Sequence, residues 1–336
     1  MKTDWIADFF SAMHESGEDI SIVYGQKAGA PVHAEPSWFE LPHDQFDGIS
    51  GLASLLRRQG LRVDKLPVLR GDRLTLSRAV RGLFAVLPTL KVRQRQWRNF
   101  DARRKVRFLP VRERVAWHLF TEEQTAGIVK SAKAADVTVN TYLLFHLDAA
   151  VSAQLTPPAT GRRWMIPVNL RGAVTRPTPD APCISFIGAD IDCGSSLDQL
   201  QTQITRMRER ACHWGSWIAL HAGEVIGGKA MRRDLRSREE KNHGWTGIFS
   251  NLGVWEVPGS SSWVFCPAIW RSHPVGAGCL TMNGRMAITI QLHDAFYADL
   301  GTSYALLKAW QQACLQEPVR IESNTGQPAL RSAECV

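Results

Sequence analysis

Apolar residues recur along the chain with two periods, one typical of helices and the other typical of strands. Helical spacing, capping residues and breakers predict helices at 4–14, 49–60, 75–87, 121–135 and 138–155, one opening at Ser195 or Ser196, and others at 218–233 and 298–315. Short apolar runs between turn residues predict strands at 20–25, 37–43, 114–120, 163–172, 183–192, 247–253, 261–268, 278–284 and 285–294. Because the strands do not alternate regularly with helices, we expect an α+β fold with mixed β-sheets and flanking helices.

Two turn or loop sequences indicate how the predicted elements are connected. The pair Asn283-Gly284 separates two strand-like runs, and this pair tolerates the backbone angles of a two-residue hairpin. The loop "PPATG" at 157–161 divides the chain into similar halves. We therefore predict an N-terminal lobe at 1–157, a C-terminal lobe at 158–318 and a loose tail at 319–336.

Composition excludes several classes of protein. Apolar residues make up 44% of the 336 residues and charged residues 21%, which predicts a packed globular core. We find no apolar run long enough to span a membrane and no secretory signal. The seven cysteines are scattered without a CxxC pair, so neither a disulfide framework nor a metal site is expected. A cytoplasmic location fits these thiols best.

The net charge of +8 is concentrated in one segment. Residues 57–114 contain 18 Lys or Arg against four Asp or Glu. Such a block can attract coenzyme phosphates, an acidic carrier protein, a membrane surface or nucleic acid. It is equally compatible with the solvated face of arginine-rich helices. Nucleic acid is disfavoured because the chain has no zinc finger, helix-turn-helix or RNA-binding signature.

One candidate for catalysis stands where a predicted strand gives way to a predicted helix. The stretch "LPHDQFDGISG" contains His43, followed four residues later by Asp47 and then by Gly48. Histidine is the usual general base near neutral pH, and a strand end can direct its ring into a cleft. The alternative is an ordinary surface turn in which Asp47 only caps the following helix.

The stretch "HDQFDG" resembles the HxxxDG motif of the chloramphenicol-acetyltransferase-like superfamily, which includes condensation domains, wax ester synthases and alcohol acetyltransferases. Four later segments resemble superfamily segments in the same order: "TVNTYLLFHLDAAV", "MIPVNLRG", "FSNLG" and "NGRMAITIQLHDAFY". The resemblance covers about residues 20–315. It implies two similar lobes, each a mixed β-sheet with flanking helices.

The resemblance also implies a reaction. An acyl group would pass from a thioester, either acyl-coenzyme A or a carrier-protein phosphopantetheine, to a small-molecule alcohol or amine, with His43 as the base. Asp47 would pair with an arginine, for which Arg171 is the first candidate and Arg232 or Arg233 the second. Gly48 would leave space for substrate, and Ser250 and Asn251 would stabilise the oxyanion, although "SNLG" also reads as a turn.

In the same interpretation, five arginines of the basic segment would meet the donor's phosphates or an acidic acyl carrier protein: Arg93, Arg95, Arg98, Arg103 and Arg104. Contact with a membrane surface is a further expectation. Pro42 stands where many superfamily members have a first histidine, and only 42 residues precede His43. The first departure need not abolish activity, because the second histidine of the motif is the reactive one in the superfamily. The short N-terminal stretch suggests a shortened first lobe and an alternative function, a catalytically silent protein that binds an acyl carrier or a biosynthetic partner.

Overall fold

The computed structural model describes residues 5–15, 17–27, 35–63, 66–69, 71–87, 96–107, 109–158, 160–176, 178, 180–221, 233 and 244–316. Its helices are α1 (Trp5–Glu15), α2 (Gly48–Arg58), α3 (Leu76–Val86), α4 (Glu122–Ala134), α5 (Val139–Leu155), α6 (Leu197–Glu209), α7 (Cys212–His221) and α8 (Leu300–Leu315). Its strands are β1 (Ser21–Lys27), β2 (Ser37–Pro42), β3 (Val115–Leu119), β4 (Arg162–Asn169), β5 (Ile184–Ile191), β6 (Gly247–Trp255), β7 (Ser262–Cys266), β8 (Val275–Met282) and β9 (Arg285–Leu292). The predicted tail at 319–336 lies outside the described residues.

The strands form two sheets. The smaller sheet has the order β2-β1-β7 and is antiparallel throughout. The larger has the order β3-β9-β8-β6-β4-β5, in which β6 runs parallel to both β4 and β8 and the other neighbours are antiparallel. Together with the flanking helices, this arrangement confirms the predicted α+β class.

The chain crosses between the two sheets in both directions. Strand β3, from the first half of the sequence, pairs with β9 in the larger sheet. Strand β7, from the second half, pairs with β1 so that Val23 lies opposite Cys266. A boundary between residues 157 and 158 therefore does not follow the sheets, because each half of the chain supplies a strand to the other half's sheet.

Two apolar cores contain most of the buried apolar residues that the structure describes. The first core joins α4, α5 and α8 to one face of the larger sheet, with Leu143, Trp164 and Phe249 fully buried. The second lies around α2 and the smaller sheet, where Tyr24 and Leu52 are fully buried. Strand β6 contributes to both, since alternate residues of a strand point to opposite faces.

Helix ends agree closely with the sequence pattern because short polar side chains cap them. Asp47, Thr121 and Ser196 each accept a hydrogen bond from a backbone N–H three residues later, and the residue at that position bonds back. The helix predicted at 218–233 is an exception, since α7 already begins at Cys212. The rest of that predicted helix, apart from Arg233, lies outside the described residues.

Candidate active site

His43 lies one residue beyond the end of β2, in the turn that leads into α2. Its side chain is buried, with 9% of the residue exposed. The imidazole stacks on the ring of Phe10 from α1, with 4.0 Å between ring centroids and 15° between the planes. One face of the ring is therefore covered by an apolar neighbour from a different part of the chain.

The hydrogen bonds of His43 indicate which ring nitrogen carries the proton. Nδ1 lies 2.9 Å from the carbonyl oxygen of Phe46. A carbonyl oxygen can only accept, so Nδ1 donates and the neutral ring keeps the lone pair of Nε2. Burial lowers the pKa of His43 below its usual value, although the Phe46 carbonyl and the charge of Asp47 act in the opposite direction. The ring is therefore neutral near pH 7, the form that accepts a proton.

Asp47 is fully buried and uses its two carboxylate oxygens differently. Oδ1 accepts hydrogen bonds from the backbone N–H groups of Ile49 and Ser50, both at 3.0 Å, and thereby caps α2. Oδ2 lies 2.7 Å from Nη1 of Arg171 and accepts the N–H of Cys183 at 2.9 Å. The side chain thus ties the turn after His43 to the ends of β4 and β5. Arg233, in contrast, is exposed.

Tyr24 and Cys183, which the sequence did not single out, contact the same turn. Tyr24 of β1 is fully buried, and its hydroxyl donates to the carbonyl oxygen of Gly48 at 2.9 Å. Burial raises the pKa of Tyr24 well above its usual value, so the hydroxyl keeps its proton. Burial also raises the pKa of Cys183 to about 11, which leaves a neutral thiol beside Asp47 rather than a nucleophilic thiolate.

Gly48 has a packing role in this structure. A Cβ atom at this position would come within 2.6 Å of Leu252 and 3.1 Å of Phe265. The space left by the missing side chain is therefore filled by these two apolar side chains. This corrects the expectation that Gly48 leaves that space open to substrate.

Ser250 and Asn251 are neighbours on β6 and consequently face opposite sides of the larger sheet. Ser250 is buried and shares its face with Ile248 and Leu252, which belong to the core that contains Phe10. Asn251 shares its face with Phe249 and the other core, and its Nδ2 donates to Asn140 Oδ1 at 2.6 Å. The joint assignment of both residues as oxyanion donors is therefore corrected, because the two side chains face opposite sides of the sheet and only Ser250 faces the core that contains Phe10, the neighbour of His43.

The predicted donor-binding arginines are described only in part. Arg93 and Arg95 lie outside the described residues. Arg98 is exposed and its Nη1 donates to the carbonyl oxygen of Ala153 at 3.4 Å, and Arg103 is also exposed. Arg104 is half-buried and lies over the ring of Tyr297, 4.7 Å from its centroid. Arg98 and Arg103 therefore present charge to solvent, whereas Arg104 is held by protein contacts.

Within the described part of the chain, no three His, Cys, Asp or Glu side chains are grouped as metal ligands would be. No helix of that part is both long enough and apolar enough to cross a bilayer. Six cysteines fall in it, and all six are free thiols.

Comparisons with known proteins identify the fold. No family profile and no curated protein sequence matches the chain. Among solved structures, the cyclization-docking bidomain of EpoB from Sorangium cellulosum shares 11% identity over 84% of this chain and 60% of its own, with a TM-score of 0.53. The nonribosomal peptide synthetase FmoA3 shares 12% identity over 84% of this chain and 31% of its own, with a TM-score of 0.52.

A wax ester synthase/diacylglycerol acyltransferase from Marinobacter aquaeolei also matches, at 13% identity over 82% of this chain and 65% of its own, with a TM-score of 0.48. The fold assignment rests on the EpoB and FmoA3 structures, whose TM-scores are 0.53 and 0.52. The chain has the same fold as these two structures, which confirms the resemblance seen in the sequence at the level of the fold. At these identities the likeness concerns the fold, and the activity has to be argued from the site.

Proposed function

We propose that this protein is an acyltransferase that moves an acyl group from a thioester to an alcohol or amine, with His43 as the general base. The observation that carries the proposal is the hydrogen bond of His43 to the Phe46 carbonyl. Nδ1 of the ring is committed to the Phe46 carbonyl, and within the described residues Nε2 has no hydrogen-bonding partner. A neutral imidazole with its Nε2 lone pair available is what removal of a proton from the acceptor requires.

The proposed reaction is a direct transfer. Nε2 of His43 takes the proton of the acceptor's hydroxyl or amine as the acceptor oxygen or nitrogen attacks the thioester carbonyl carbon. The resulting tetrahedral oxyanion collapses, the carbon–sulfur bond breaks, and the imidazolium returns the proton to the departing thiolate. No acyl-enzyme is needed, and the neutral Cys183 thiol supports a path without a cysteine nucleophile.

Two residues support this chemistry without taking part in proton transfer. Asp47 fixes the turn that carries His43 by its bonds to Arg171 and to the N-terminus of α2, and it is a positioning residue. Ser250 remains the candidate donor to the oxyanion because it is buried on the face of β6 that packs into the core with Phe10. One such donor contributes about a hundredfold or more in rate.

The donor is proposed to be acyl-coenzyme A or an acyl chain on a carrier-protein phosphopantetheine. The exposed guanidinium groups of Arg98 and Arg103 supply positive charge for either donor. Arg93 and Arg95 belong to the same proposed group by sequence. We place the reaction in the cytoplasm, where free thiols such as the six described ones remain reduced.

A second candidate function, a catalytically silent protein that binds an acyl carrier, is favoured by one observation. Phe10 covers a face of the His43 ring, and only 9% of the residue is exposed. An acceptor must reach Nε2 for turnover. The two candidates therefore differ in whether a nucleophile gains access to this nitrogen.

The experiment is a thiol-release assay with acyl-coenzyme A and acyl-carrier-protein donors across a panel of alcohols and amines. His43→Ala should lower the rate by about 10²–10⁴. His118→Ala is the matched control, because burial also lowers the pKa of this half-buried histidine on β3, and its rate should stay close to that of the wild type. Wild-type activity in His43→Ala rejects His43 as the base, whereas carrier binding without turnover by the wild type supports the silent candidate.

A further inference from the structure

Helix α3 exposes an unusual amount of apolar surface. Of the eleven large apolar residues that are exposed among the described residues, six lie at 68–87. Four of these lie on one face of α3 and its C-cap, with Leu76 82% exposed and Phe84 71% exposed, and with Val80 and Leu87 between and beside them. Spacings of four and three residues place these side chains along a single stripe about 16 Å long. We call these four residues the α3 stripe.

The opposite face of α3 is fixed against α7, so the stripe cannot turn inward. Gly82 of α3 and Gly215 of α7 lie at the crossing of the two helices, and a methyl group on either would overlap the backbone of the other helix. Such a close approach leaves no room for rotation of α3 about its axis. The apolar stripe is therefore held toward solvent by backbone packing on the other side.

A carboxylate reinforces this orientation. Asp72, which precedes α3, accepts the indole N–H of Trp214 at 3.0 Å, and its Oδ2 lies 2.9 Å from Nε2 of His213. The same carboxylate pairs with Arg78 on α3. One side chain thus links the start of α3 to two residues of α7. The exposure of the α3 stripe therefore follows from these contacts between α3 and α7.

Positive charge borders the stripe. Arg73 and Arg81 are both exposed, and they belong to the segment 57–114 with its excess of 14 positive charges. Two copies of the chain meeting stripe to stripe would bring these like charges together. Leu76 and Phe84 are so exposed that a protein partner would need a cleft that accepts both side chains. A bilayer accepts a protruding apolar helix without one, and acidic headgroups match the arginines.

We propose that α3 docks the protein onto the surface of an anionic lipid bilayer, with the α3 stripe inserted among the acyl chains and Arg73 and Arg81 at the level of the headgroup phosphates. The helix lies in the plane of the interface and does not span it. This proposal is independent of the acyl-transfer proposal, because it concerns binding to a surface and not turnover.

The test is sedimentation of the full chain with vesicles. Wild-type protein should bind vesicles of equal parts phosphatidylcholine and phosphatidylglycerol, and bind pure phosphatidylcholine vesicles much more weakly. Leu76→Gln and Phe84→Gln should each weaken binding about tenfold or more, since each removes a large side chain from the lipid. Arg73→Gln and Arg81→Gln should each weaken binding to the anionic vesicles about fivefold.

Val129→Gln is the matched control, because Val129 is also an exposed apolar residue on a helix, in this case α4. It should bind anionic vesicles as the wild type does. The variants should keep the circular dichroism spectrum and urea midpoint of the wild type. Absence of vesicle binding by the wild type, or equal binding by Phe84→Gln, overturns the proposal. Binding to an immobilised acidic acyl carrier protein without binding to vesicles would assign the stripe to a protein partner and overturn it as well.

Discussion

Asp47 shows how one residue of a short motif can serve two structural purposes. Its Oδ1 caps α2, and its Oδ2 meets Arg171 and the backbone of Cys183. The capping interpretation and the pairing interpretation of the sequence were alternatives, and the structure shows both contacts at once. They are compatible because a carboxylate has two oxygens and several lone pairs.

Removing the charge of Asp47 should destabilise the fold. In Asp47→Asn, the side chain becomes a neutral amide with a single acceptor oxygen. If its N–H groups face Arg171 and the Cys183 N–H, donors meet donors, and if they face α2, the cap is lost. In either orientation Arg171 is left as a buried cation without a counter-charge. We expect a loss of about 3–5 kcal/mol in the free energy of unfolding, measured by urea titration. Glu113→Gln is the control, because its ion pair with Arg112 is exposed at both ends and should contribute less than about 1 kcal/mol. Equal losses in the two variants would contradict the buried role of Asp47.

The lowered pKa of His43 predicts the pH dependence of activity. The reaction needs the neutral ring, so kcat/KM should fall only as the pH drops through a pKa below the usual value of about 6.5. The folded state also binds fewer protons than the unfolded state in that range, so the stability contributed by this residue is complete above about pH 6.5 and declines below it. The check is a pH profile of kcat/KM, with recovery of activity on return to neutral pH as the control for unfolding. An acidic limb above pH 6.5 would contradict the prediction.

Residues that meet across the fold were the ones that the sequence did not reveal. Phe10 and Tyr24 contact His43 and Gly48 from elements that are distant in the chain, and no local pattern marks them. Asn251 was assigned together with Ser250 because the two are adjacent in sequence. Only the strand geometry shows that adjacent residues face opposite sides.

At the scale of elements, local capping chemistry and periodicity predicted most helices and strands within a few residues. The start of α7 was missed because His213, Trp214 and Gly215 carry no helical period of their own. This part of α7 is organised by its contacts with α3, through Asp72 and the two glycines at the crossing. Tertiary packing therefore decides the helix where intrinsic propensity does not.

The glycine crossing can be tested directly. Gly82→Ala should lower the free energy of unfolding by about 1–3 kcal/mol, because its methyl group would meet the α7 backbone near Ala211 and Gly215. Gly127→Ala on α4 is the matched control, since a Cβ atom there meets nothing within 4 Å. That variant should be neutral or more stable by up to about 1 kcal/mol, as expected for alanine in place of glycine within a helix. A similar effect of both substitutions in urea titrations would contradict the close crossing.

At the scale of the whole molecule, the exchange of strands makes the two lobes depend on each other. Strand β7 completes the smaller sheet beside β1, and β3 extends the larger sheet beside β9. Neither sheet is complete within one half of the sequence. The boundary that was predicted in the "PPATG" loop separates elements that share a core.

The fragment 1–157 should therefore not fold by itself. It lacks β7 and β9, which pair with β1 and β3, so each of these strands would have an unpaired edge and an exposed apolar face. We expect no cooperative unfolding transition and poor dispersion of its amide proton signals. Adding the fragment 158–336 should restore structure if the two halves associate. A cooperatively folded 1–157 fragment would contradict the interdependence of the lobes.

The sequence by itself determined the α+β class, most element positions and the residues of the HxxxDG motif, because periodicity, capping and turn chemistry act over a few residues. The resemblance in "HDQFDG" and the later segments also pointed to the correct fold. These signals are local, and their physical causes are contained in short stretches of chain.

The tertiary structure decided the exchange of β3 and β7 between halves, the stacking of Phe10 on His43, the filling of the space beside Gly48 and the direction in which α3 faces. Each of these depends on contacts between residues far apart in the chain. Such contacts are determined by the packing of the whole core. A local sequence pattern therefore does not predict which distant part of the chain will cover a given residue.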